Sequence, residues 1–177
     1  ERVGKTAVVT DDHAMIRSAR RVIFPGVGEA SSAMRYLRER KLDETIRKLR
    51  QPVLGICLGM QLMCEYSEEN DTTCLGIFEE KVRKFDNSLL RVKVPQIGWN
   101  NIFDLKSELF ESVPQESYCY FVHGYYASVG RHTIATTEYT LPYSSALQKG
   151  NFYGVQFHPE KSAGVGEQIL KNFLSLK

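Results

Sequence analysis

Apolar residues in the first half of the chain alternate between short continuous runs and a longer stretch with helical spacing. The short runs at residues 6–9, 22–24 and 53–56 predict buried strands, the second of them stopped by Pro25 and Gly26. Between the last two runs, apolar side chains recur at near-helical spacing at Met34, Leu37, Leu42, Ile46 and Leu49. Continuous apolar strands separated by a helical stretch favour a parallel sheet that is covered on both faces.

The middle of the chain carries short runs divided by turn residues, which predicts an antiparallel extension of the sheet. These predicted strands are residues 81–85, 91–94, 118–122, 133–137 and 146–148. A last strand is predicted at residues 152–157, and a C-terminal helix follows Gly164 over residues 165–176. The pattern predicts one α/β domain over residues 1–177. We expect a three-layer sandwich with a mainly parallel central sheet and a small antiparallel extension.

A cysteine ends the third apolar run, in the sequence Gly55-Ile56-Cys57-Leu58-Gly59. Glycine two residues before and two residues after a nucleophile is the pattern of a nucleophile elbow, a strained turn between a buried strand and a helix. Glycine is needed where the two backbones approach closely, and the helix N-terminus favours thiolate over thiol. The alternative is that Cys57 is a small buried apolar residue, the commonest fate of a free cysteine. The short motif alone does not decide between the two.

A histidine and a carboxylate end the last predicted strand, at His158 and Glu160, with Pro159 between them. A histidine at a strand end can act as general base to a thiol, and a nearby carboxylate can orient its imidazole. Alone, this tripeptide is more typical of a surface turn. Together with the cysteine motif it predicts a catalytic triad of Cys57, His158 and Glu160 at the carboxyl edge of the sheet, where open α/β sheets bind ligands.

Composition and charge narrow the class of protein. With 177 residues, of which 42% are hydrophobic and 25% charged, the chain has the composition of a folded domain. A net charge of +2 implies no strong attraction to nucleic acid or membranes, and no apolar run is long enough to span a bilayer. The four cysteines have neither metal-binding spacing nor a disulfide pattern, which suits a reducing compartment. We therefore expect a cytoplasmic protein with no metal or other cofactor, no nucleic-acid partner and no membrane association.

Three further segments contain candidate site residues. The turn at residues 25–28 (Pro-Gly-Val-Gly) can offer a backbone N–H group to an oxyanion, with the N–H of Leu58 as a second donor; an ordinary strand-to-helix turn is the alternative. Residues 94–100 include Trp99, the only tryptophan, and the alternative there is a packed loop. Residues 120–126 end a predicted strand in aromatic side chains, for which core packing is the alternative.

Taken together, these motifs resemble the class I, triad-type glutamine amidotransferases, and among them the glutaminase subunits of imidazole glycerol phosphate synthases. The resemblance runs in register over nearly the whole chain, through residues 25–28, 55–61, 95–100, 120–123 and 156–162. The discriminating segments are residues 98–100 (Gly-Trp-Asn) and 160–162 (Glu-Lys-Ser). Related amidotransferases of anthranilate, GMP and carbamoyl phosphate synthesis share the triad but not this set.

The resemblance implies a role for each candidate residue. Cys57 is implied to be the nucleophile, His158 the base and acid, and Glu160 the orienting carboxylate in the hydrolysis of L-glutamine. The oxyanion hole is implied to consist of the N–H groups of Val27 and Leu58, with Gly26 and Gly28 flanking Val27. The residues implied to hold glutamine are Gln61, Glu69, Gly124 and Tyr125. Those implied to face the partner and the ammonia exit are Tyr120, Lys161, Gly98, Trp99 and Asn100.

The resemblance also implies a partner, the (β/α)₈-barrel cyclase subunit of imidazole glycerol phosphate synthase, in a heterodimer. Ammonia from glutamine would pass to the cyclase, which joins it to a phosphoribulosyl-formimino aminoimidazole carboxamide ribonucleotide in histidine biosynthesis. The products would be imidazole glycerol phosphate and the aminoimidazole carboxamide ribotide.

Two features depart from the family pattern. Position 124 is glycine where the pattern leads us to expect serine or threonine, so any contact with glutamine there must come from the backbone. The family also begins with a strand and a glycine-bearing turn, whereas residues 1–4 resemble the end of its first helix. We therefore expect the family's first strand and part of its first helix to be missing, which would leave an exposed sheet edge.

Three alternatives stay open at this point. The chain resembles, less closely, the glutaminase subunits of pyridoxal phosphate or anthranilate synthesis, against which residues 98–100 argue. A cysteine hydrolase or peptidase of similar fold would act alone on peptides or small amides, and glutamine-specific labelling of Cys57 would separate it. A binding module without activity would keep the fold, but the intact residues Cys57, His158 and Glu160 argue against it.

Overall fold

The computed structural model describes residues 3–86, 88 and 92–177 as one chain of alternating helices and strands. The elements are, in chain order, α1 (His13–Ser18), β1 (Val22–Gly26), α2 (Ala30–Glu39), α3 (Leu42–Arg47), β2 (Val53–Cys57), α4 (Leu58–Met63), β3 (Tyr66–Ser67), β4 (Thr72–Thr73), β5 (Lys81–Lys84), β6 (Gln96–Ile102), β7 (Ser117–His123), β8 (Tyr125–Ala127), β9 (Thr133–Glu138), β10 (Pro142–Lys149), β11 (Phe152–Val155) and α5 (Ala163–Ser175). Short 3₁₀ turns cover Glu108–Phe110 and Pro159–Lys161.

A mixed sheet of nine strands forms the centre of the fold, in the order β1-β2-β11-β10-β8-β5-β3-β4, with β9 also paired to β10. The strands β1, β2 and β11 run parallel, with Gly26 opposite Cys57 and Val155 opposite Ile56. The antiparallel part begins at β10, which pairs with β11, β8 and β9. The strands β6 and β7 form a separate antiparallel pair. The parallel strands therefore end at one edge, where Gly26 and Cys57 lie side by side.

Helices cover both faces of this sheet. Successive side chains of a strand point to opposite sides, so neighbouring residues of β2 pack into different apolar clusters. Val53 belongs to an apolar cluster with Met34 of α2, Ile46 of α3 and Met60 of α4. The next residue, Leu54, belongs to a second cluster that includes Ile169 and Phe173 of α5. The predicted α/β sandwich of three layers, with its small antiparallel sheet, is confirmed.

One predicted strand does not form. Residues 6–9 lie in a segment without helix or strand, and Val8 and Val9 are 69% and 100% exposed. No strand among the described residues pairs with this segment, so its apolar side chains have no sheet face to pack against. An unpaired strand is not stable in water by itself, so an apolar run alone was not enough to predict a strand at residues 6–9.

Two further segments differ from the prediction. The helical stretch between residues 34 and 49 is two helices, because Lys41 has a left-handed backbone (φ 56°) that ends α2 and precedes α3. The strand predicted at residues 91–94 is absent from residues 92–94, and Arg91 lies outside the described residues. The strand β6 starts at Gln96, immediately after Pro95, which has no N–H group for a ladder. Residues 98–100, for which a packed loop was the alternative, are part of β6.

Residues 1–4 were predicted to end a helix; Glu1 and Arg2 lie outside the described residues, and Val3 and Gly4 form a turn. Among the helices within residues 3–86, 88 and 92–177, none combines the length and apolarity needed to cross a bilayer.

Candidate active site

The strand β2 passes into α4 through a strained backbone at Cys57, which has φ 53° and ψ −113°. A non-glycine residue with this backbone is uncommon, and such strain is concentrated at functional sites. The flanking glycines explain how the turn is possible. A Cβ atom at Gly55 would lie 2.8 Å from the backbone nitrogen of Met60, and one at Gly59 would lie 1.9 Å from the carbonyl oxygen of Phe24. The predicted strained turn between strand and helix is therefore present, with glycine at two places where α4 meets a strand backbone.

The thiol of Cys57 differs from the other three thiols in its exposure. Cys64, Cys74 and Cys119 are free and buried, and burial raises the pKa of Cys74 to about 11 and of Cys119 to about 12. Cys57 is partly accessible, and its Sγ lies 3.9 Å from the carbonyl oxygen of Val122 and 3.7 Å from Nε2 of Gln156. Among the described residues, no three His, Cys, Asp or Glu side chains are grouped to hold a metal ion. Cys57 is thus the accessible one of the four thiols.

The backbone of His158 is hydrogen-bonded to β7 directly through its N–H group and, by way of Ser162, through its carbonyl group. Its N–H donates to the carbonyl oxygen of Tyr120 at 2.9 Å. Its own carbonyl oxygen accepts from Oγ of the buried Ser162 at 2.7 Å, and the same Oγ accepts from the N–H of Tyr120 at 2.9 Å. The imidazole is therefore carried on a backbone that cannot shift without breaking bonds to a neighbouring strand.

The imidazole of His158 lies between a carboxylate and the Cys57 thiol. Its Nδ1 is 2.8 Å from Oε1 of Glu160, whereas Nε2 is buried and has no well-aligned hydrogen-bond partner. The pKa of His158 is raised to about 9, first by the neighbouring Cys57 and second by Glu160. Burial opposes ionisation of Glu160, but its hydrogen bond to His158 prevails and lowers its pKa. The three residues predicted as a triad therefore meet, with sulfur and imidazole as neighbours and the carboxylate behind.

The predicted oxyanion turn lies directly against the start of α4. A Cβ atom at Gly26 would stand 2.5 Å from the nitrogen of Gly59 and 2.6 Å from Cβ of Leu58. Val27 is 91% exposed, and Gly28 has φ 92°, a conformation that L-residues rarely adopt. Two peptides that can offer N–H groups, those of Val27 and Leu58, are thus on adjacent chain segments beside the thiol.

Glu69 anchors the far end of this turn. Its Oε2 accepts from the N–H of Ala30, the first residue of α2, at 2.8 Å. A second bond joins the same segments, from Nδ2 of Asn70 to Oε2 of Glu29. Burial first, and the charge of Glu69 second, raise the pKa of the Tyr125 hydroxyl. Glu69 therefore lies within electrostatic reach of Tyr125, as a common substrate site requires.

Gln61 is buried on α4, and its side chain is hydrogen-bonded to the backbone of Tyr125, another of the predicted glutamine-binding residues. Its Nε2 donates to the carbonyl oxygen of Tyr125 at 2.9 Å and to Oε1 of Gln156 at 2.8 Å. Gly124 separates β7 from β8, and a Cβ atom there would make only ordinary contacts, 3.8 Å or more from Pro95 and Val94. The structure brings Gln61, Gly124, Tyr125 and Glu69 to the same edge of the sheet as Cys57.

An aromatic surface lies on the strand pair β6–β7. Trp99 is 53% exposed and packs edge-to-face on Tyr120 with ring centroids 6.0 Å apart, and Nζ of Lys161 lies 5.7 Å from the centre of the Tyr120 ring. Ile97 and Tyr118 extend the exposed apolar area on the same strands. We call these five residues the β6–β7 platform. Asn100 does not join it, because its side chain donates to the carbonyl oxygen of Glu138 at 2.9 Å.

Sequence reasoning missed three residues that support this site: Gln156, Ser162 and His123. Gln156 and Ser162 stand within the segment quoted for its histidine and carboxylate, but their contacts are with Cys57, Gln61 and Tyr120. His123 is buried, with Nδ1 2.7 Å from the carbonyl oxygen of Tyr125. A polar side chain two residues before the candidate base was the one available signal, and it pointed only to Gln156; Ser162 and His123 carried no comparable signal.

Comparisons with known proteins agree with this geometry. The family model described as glutamine amidotransferase class-I matches residues 5–176. A protein of Bacteroides fragilis named imidazole glycerol phosphate synthase subunit HisH is 53% identical over 176 residues, covering 99% of this chain and 90% of the relative. Proteins of the same name from Bacteroides thetaiotaomicron and Haemophilus influenzae are 52% and 46% identical, with 99% and 98% of this chain and 90% and 87% of the relatives covered.

Solved structures share the fold at low sequence identity. A crystal structure titled glutamine amidotransferase superposes with a TM-score of 0.70 at 17% identity, covering 98% of this chain and 87% of that one. A glutamine amidotransferase from Thermotoga maritima gives a TM-score of 0.57 at 22% identity, covering 86% of this chain and 61% of that one. These likenesses concern the fold alone. Because the family model spans nearly the whole chain and two of the relatives exceed half identity, the chain belongs to the class-I glutamine amidotransferase family.

Proposed function

We propose that the chain hydrolyses L-glutamine to glutamate and ammonia as the glutaminase subunit of an imidazole glycerol phosphate synthase. The observation behind this proposal is the meeting of Cys57, His158 and Glu160 at a glycine-flanked elbow. Relatives at 53% and 52% identity, each covered over 90% of its length, bear the name of that subunit. The product ammonia would serve histidine biosynthesis.

In the proposed reaction His158 takes the proton of the Cys57 thiol, and the sulfur attacks the side-chain amide carbon of glutamine. The C–N bond of the amide then breaks, and His158 gives the leaving nitrogen a proton, so that ammonia departs and a γ-glutamyl thioester remains. His158 next takes a proton from water, whose oxygen attacks the thioester carbon. The C–S bond then breaks, glutamate is released, and the proton passes from His158 to the sulfur. Because Glu160 bonds to Nδ1 and leaves Nε2 toward the sulfur, one imidazole can perform both transfers.

Charge that develops on the amide oxygen requires donors beside the thiol. We assign this role to the N–H groups of Val27 and Leu58, whose chain segments touch at Gly26. Preorganised N–H donors of this kind contribute about 10²–10³ in rate each. Glycine on both sides of Val27 allows its peptide to turn at low cost, so the turn can switch between a donor-in and a donor-out orientation.

We assign the binding of glutamine to hydrogen-bond acceptors of Gln61 and Glu69 and to nearby backbone groups. Both N–H bonds of Gln61 already go to the protein, so its Oε1 is the atom left to receive an N–H from a ligand. The carboxylate of Glu69 adds a negative charge that suits the α-ammonium group of glutamine. Backbone groups at Gly124 and Tyr125 complete the set, since position 124 has no side chain.

The partner proposed for this chain is a barrel cyclase that receives the ammonia. The relatives are named as subunits, which implies a second subunit in their assemblies. The β6–β7 platform suits this role because monomers rarely leave a tryptophan, a tyrosine and an isoleucine exposed together. Tyr120 belongs to the platform and is also bonded to the backbone of His158, so a hydrogen bond links the docking surface to the triad.

The test replaces Cys57 by serine and supplies the nitrogen in two ways. With the cyclase and its ribonucleotide, we expect Cys57→Ser to abolish synthesis from glutamine but to leave synthesis from ammonium salts unchanged. The serine hydroxyl is a poor nucleophile with its far higher pKa, while the cyclisation site is on the partner. Equal loss of both activities in an assembled complex would contradict the proposal. Glutamine hydrolysis by the chain alone, compared with the complex, then measures activation by the partner.

A further inference from the structure

Gln156 is a fully buried polar residue next to the candidate active site that the proposed reaction does not use. It follows β11, two residues before His158, and has no exposed surface. Its N–H donates to the carbonyl oxygen of Ser145 at 2.9 Å, so the backbone is fixed to β10. A buried carboxamide is costly unless its polar atoms are hydrogen-bonded, and here both ends of the side chain are.

The carboxamide of Gln156 bridges the helix α4 and the candidate nucleophile. Oε1 accepts from Nε2 of Gln61 at 2.8 Å, and Nε2 points to Sγ of Cys57 at 3.7 Å. This N···S distance is long for a hydrogen bond to oxygen but suits the larger sulfur atom. Gln156 therefore touches the atom that would attack the substrate.

The direction of this bridge is fixed by a backbone carbonyl group. The oxygen of Tyr125 can only accept a hydrogen bond, so the atom of Gln61 that faces it at 2.9 Å must be the nitrogen. That nitrogen also faces Gln156, so the facing atom of Gln156 must be the oxygen. The other end of Gln156, which faces Cys57, must then be an N–H donor.

A buried histidine keeps the carbonyl group of Tyr125 in place. Nδ1 of His123 lies 2.7 Å from the same oxygen, and burial lowers the pKa of His123 to about 4, so the imidazole is neutral at ordinary pH. Since the oxygen only accepts, the proton of the neutral ring must be on Nδ1. Nε2 then faces the hydroxyl of Tyr143 at 3.3 Å. Two donors converge on one carbonyl group, which cannot rotate without losing both.

We propose that Gln156 is a thiolate-stabilising residue of this site: it donates an N–H hydrogen bond to the sulfur of Cys57, in a direction that the carbonyl group of Tyr125 imposes through Gln61. The bond strengthens when the sulfur becomes anionic, because hydrogen bonds to ionised acceptors are stronger than those to neutral ones. The identification of Cys57 as nucleophile rests on the proposed function. The hydrogen bond does not depend on the proposed function, because its test measures the reactivity of the Cys57 thiol and not the turnover of glutamine.

The test measures how fast iodoacetamide alkylates Cys57 as a function of pH, by mass spectrometry of its peptide. In Gln156→Met, which removes the donor without adding charge, we expect the pH midpoint of alkylation to rise by about one pH unit. In Gln156→Glu the carboxylate repels the thiolate, and the midpoint should rise further. The matched controls are Gln148→Met and Gln148→Glu, because Gln148 pairs with Tyr153 at the opposite end of β11 and bonds to Ser107. An unchanged midpoint in Gln156→Met, even with a shift in Gln156→Glu, would overturn the proposal.

A second measurement needs no change at Gln156 and so stands even if its variants do not fold. In the ¹⁵N-labelled wild-type chain, the side-chain amide signals of Gln156 should move with pH at the midpoint of Cys57 alkylation. In Cys57→Ala this step should vanish, although His158 still titrates. Amide signals that ignore the thiol would overturn the proposal. If they follow it while the complex hydrolyses no glutamine, the proposed function is wrong and the hydrogen bond remains.

Discussion

Gly59 lies against the backbone of Phe24 so closely that a Cβ atom at position 59 would stand 1.9 Å from the carbonyl oxygen of Phe24 and 2.9 Å from its carbonyl carbon. The contact joins the first turn of α4 to β1, the strand that ends in Gly26. It holds the elbow of Cys57 beside the oxyanion turn. Glycine is thus needed at position 59 because two chain segments meet there, and not because the backbone must be flexible.

Replacing Gly59 by alanine should therefore destabilise the fold. The new Cβ atom would clash with the backbone of Phe24, and no side chain can rotate to make room, so α4 or β1 must move. We expect the free energy of unfolding to fall by about 3 kcal/mol or more. Urea unfolding followed by circular dichroism measures this. Gly164→Ala is the matched control: it lies in α5 with no atom within 4 Å of its Cβ position, so alanine should be neutral or stabilise by up to about 1 kcal/mol. Equal stability of the two variants would contradict the argument.

The other two residues of the proposed triad, His158 and Glu160, should differ in their effect on turnover. His158→Ala should reduce kcat for glutamine about as much as Cys57→Ala, since the imidazole must take and return the proton. Glu160→Gln should be milder, because the carboxylate only orients a ring whose backbone is already fixed by Tyr120 and Ser162. Steady-state kinetics of the complex measure both. The double variant of Cys57 and His158 should lose no more than either alone; losses that multiply would indicate independent roles.

The raised pKa of His158 makes a prediction about stability and pH. The folded value is about 9, against an ordinary value of about 6.5, so the folded state binds the proton more tightly. This stabilisation is complete below a pH of about 6.5 and is lost as the pH rises through about 9. We expect the free energy of unfolding to fall by on the order of 2 kcal/mol over this interval. Because Cys57 is the largest cause of the shift, the fall should be smaller in Cys57→Ala; urea unfolding under reducing conditions compares the two.

The sequence predicted those parts of the site that depend on neighbouring residues. The elbow was predictable because the contacts that require Gly55 and Gly59 arise within one strand-to-helix turn. His158 and Glu160 were predictable because only Pro159 separates them in the sequence. The strands β1, β2 and β11 were found for a similar reason, since each contains a continuous apolar run; β2 and β11 are buried or partly buried, whereas Ile23 of β1 is exposed.

What could not be predicted depends on distant pairing. Residues 6–9 have the composition of a strand, yet strand formation needs a neighbour, and the sequence does not say whether one is present. The role of Gln156 requires Gln61, 95 residues away, to lie across from it. Asn100 and Trp99 were grouped because they are adjacent in sequence, but alternation along β6 sends their side chains to different neighbours.

The β6–β7 platform should be energetically dominated by Trp99. If the cyclase docks there, Trp99→Ala should weaken its binding at least about tenfold, because exposed tryptophans that become buried are the commonest hot spots. Val129→Ala is the matched control, since Val129 is also 53% exposed but follows β8, away from the β6–β7 pair. Isothermal titration calorimetry with the cyclase compares the two variants. Equal affinity of both would exclude the platform as the centre of the interface.

The glycine at position 124 can be tested by restoring the side chain that the family pattern leads us to expect. A Cβ atom there would meet only Pro95 and Val94 at 3.8 and 3.9 Å, and the backbone is not left-handed, so both Gly124→Ser and Gly124→Ala should fold without loss of stability. The serine hydroxyl adds one hydrogen bond to glutamine, and we expect KM for glutamine to fall about two- to tenfold with kcat nearly unchanged. Gly124→Ala occupies the same space without a donor and should leave KM as it is. If alanine and serine lower KM equally, the gain comes from a stiffer backbone at Tyr125 rather than from a new contact, and glutamine is then held there by main-chain groups alone.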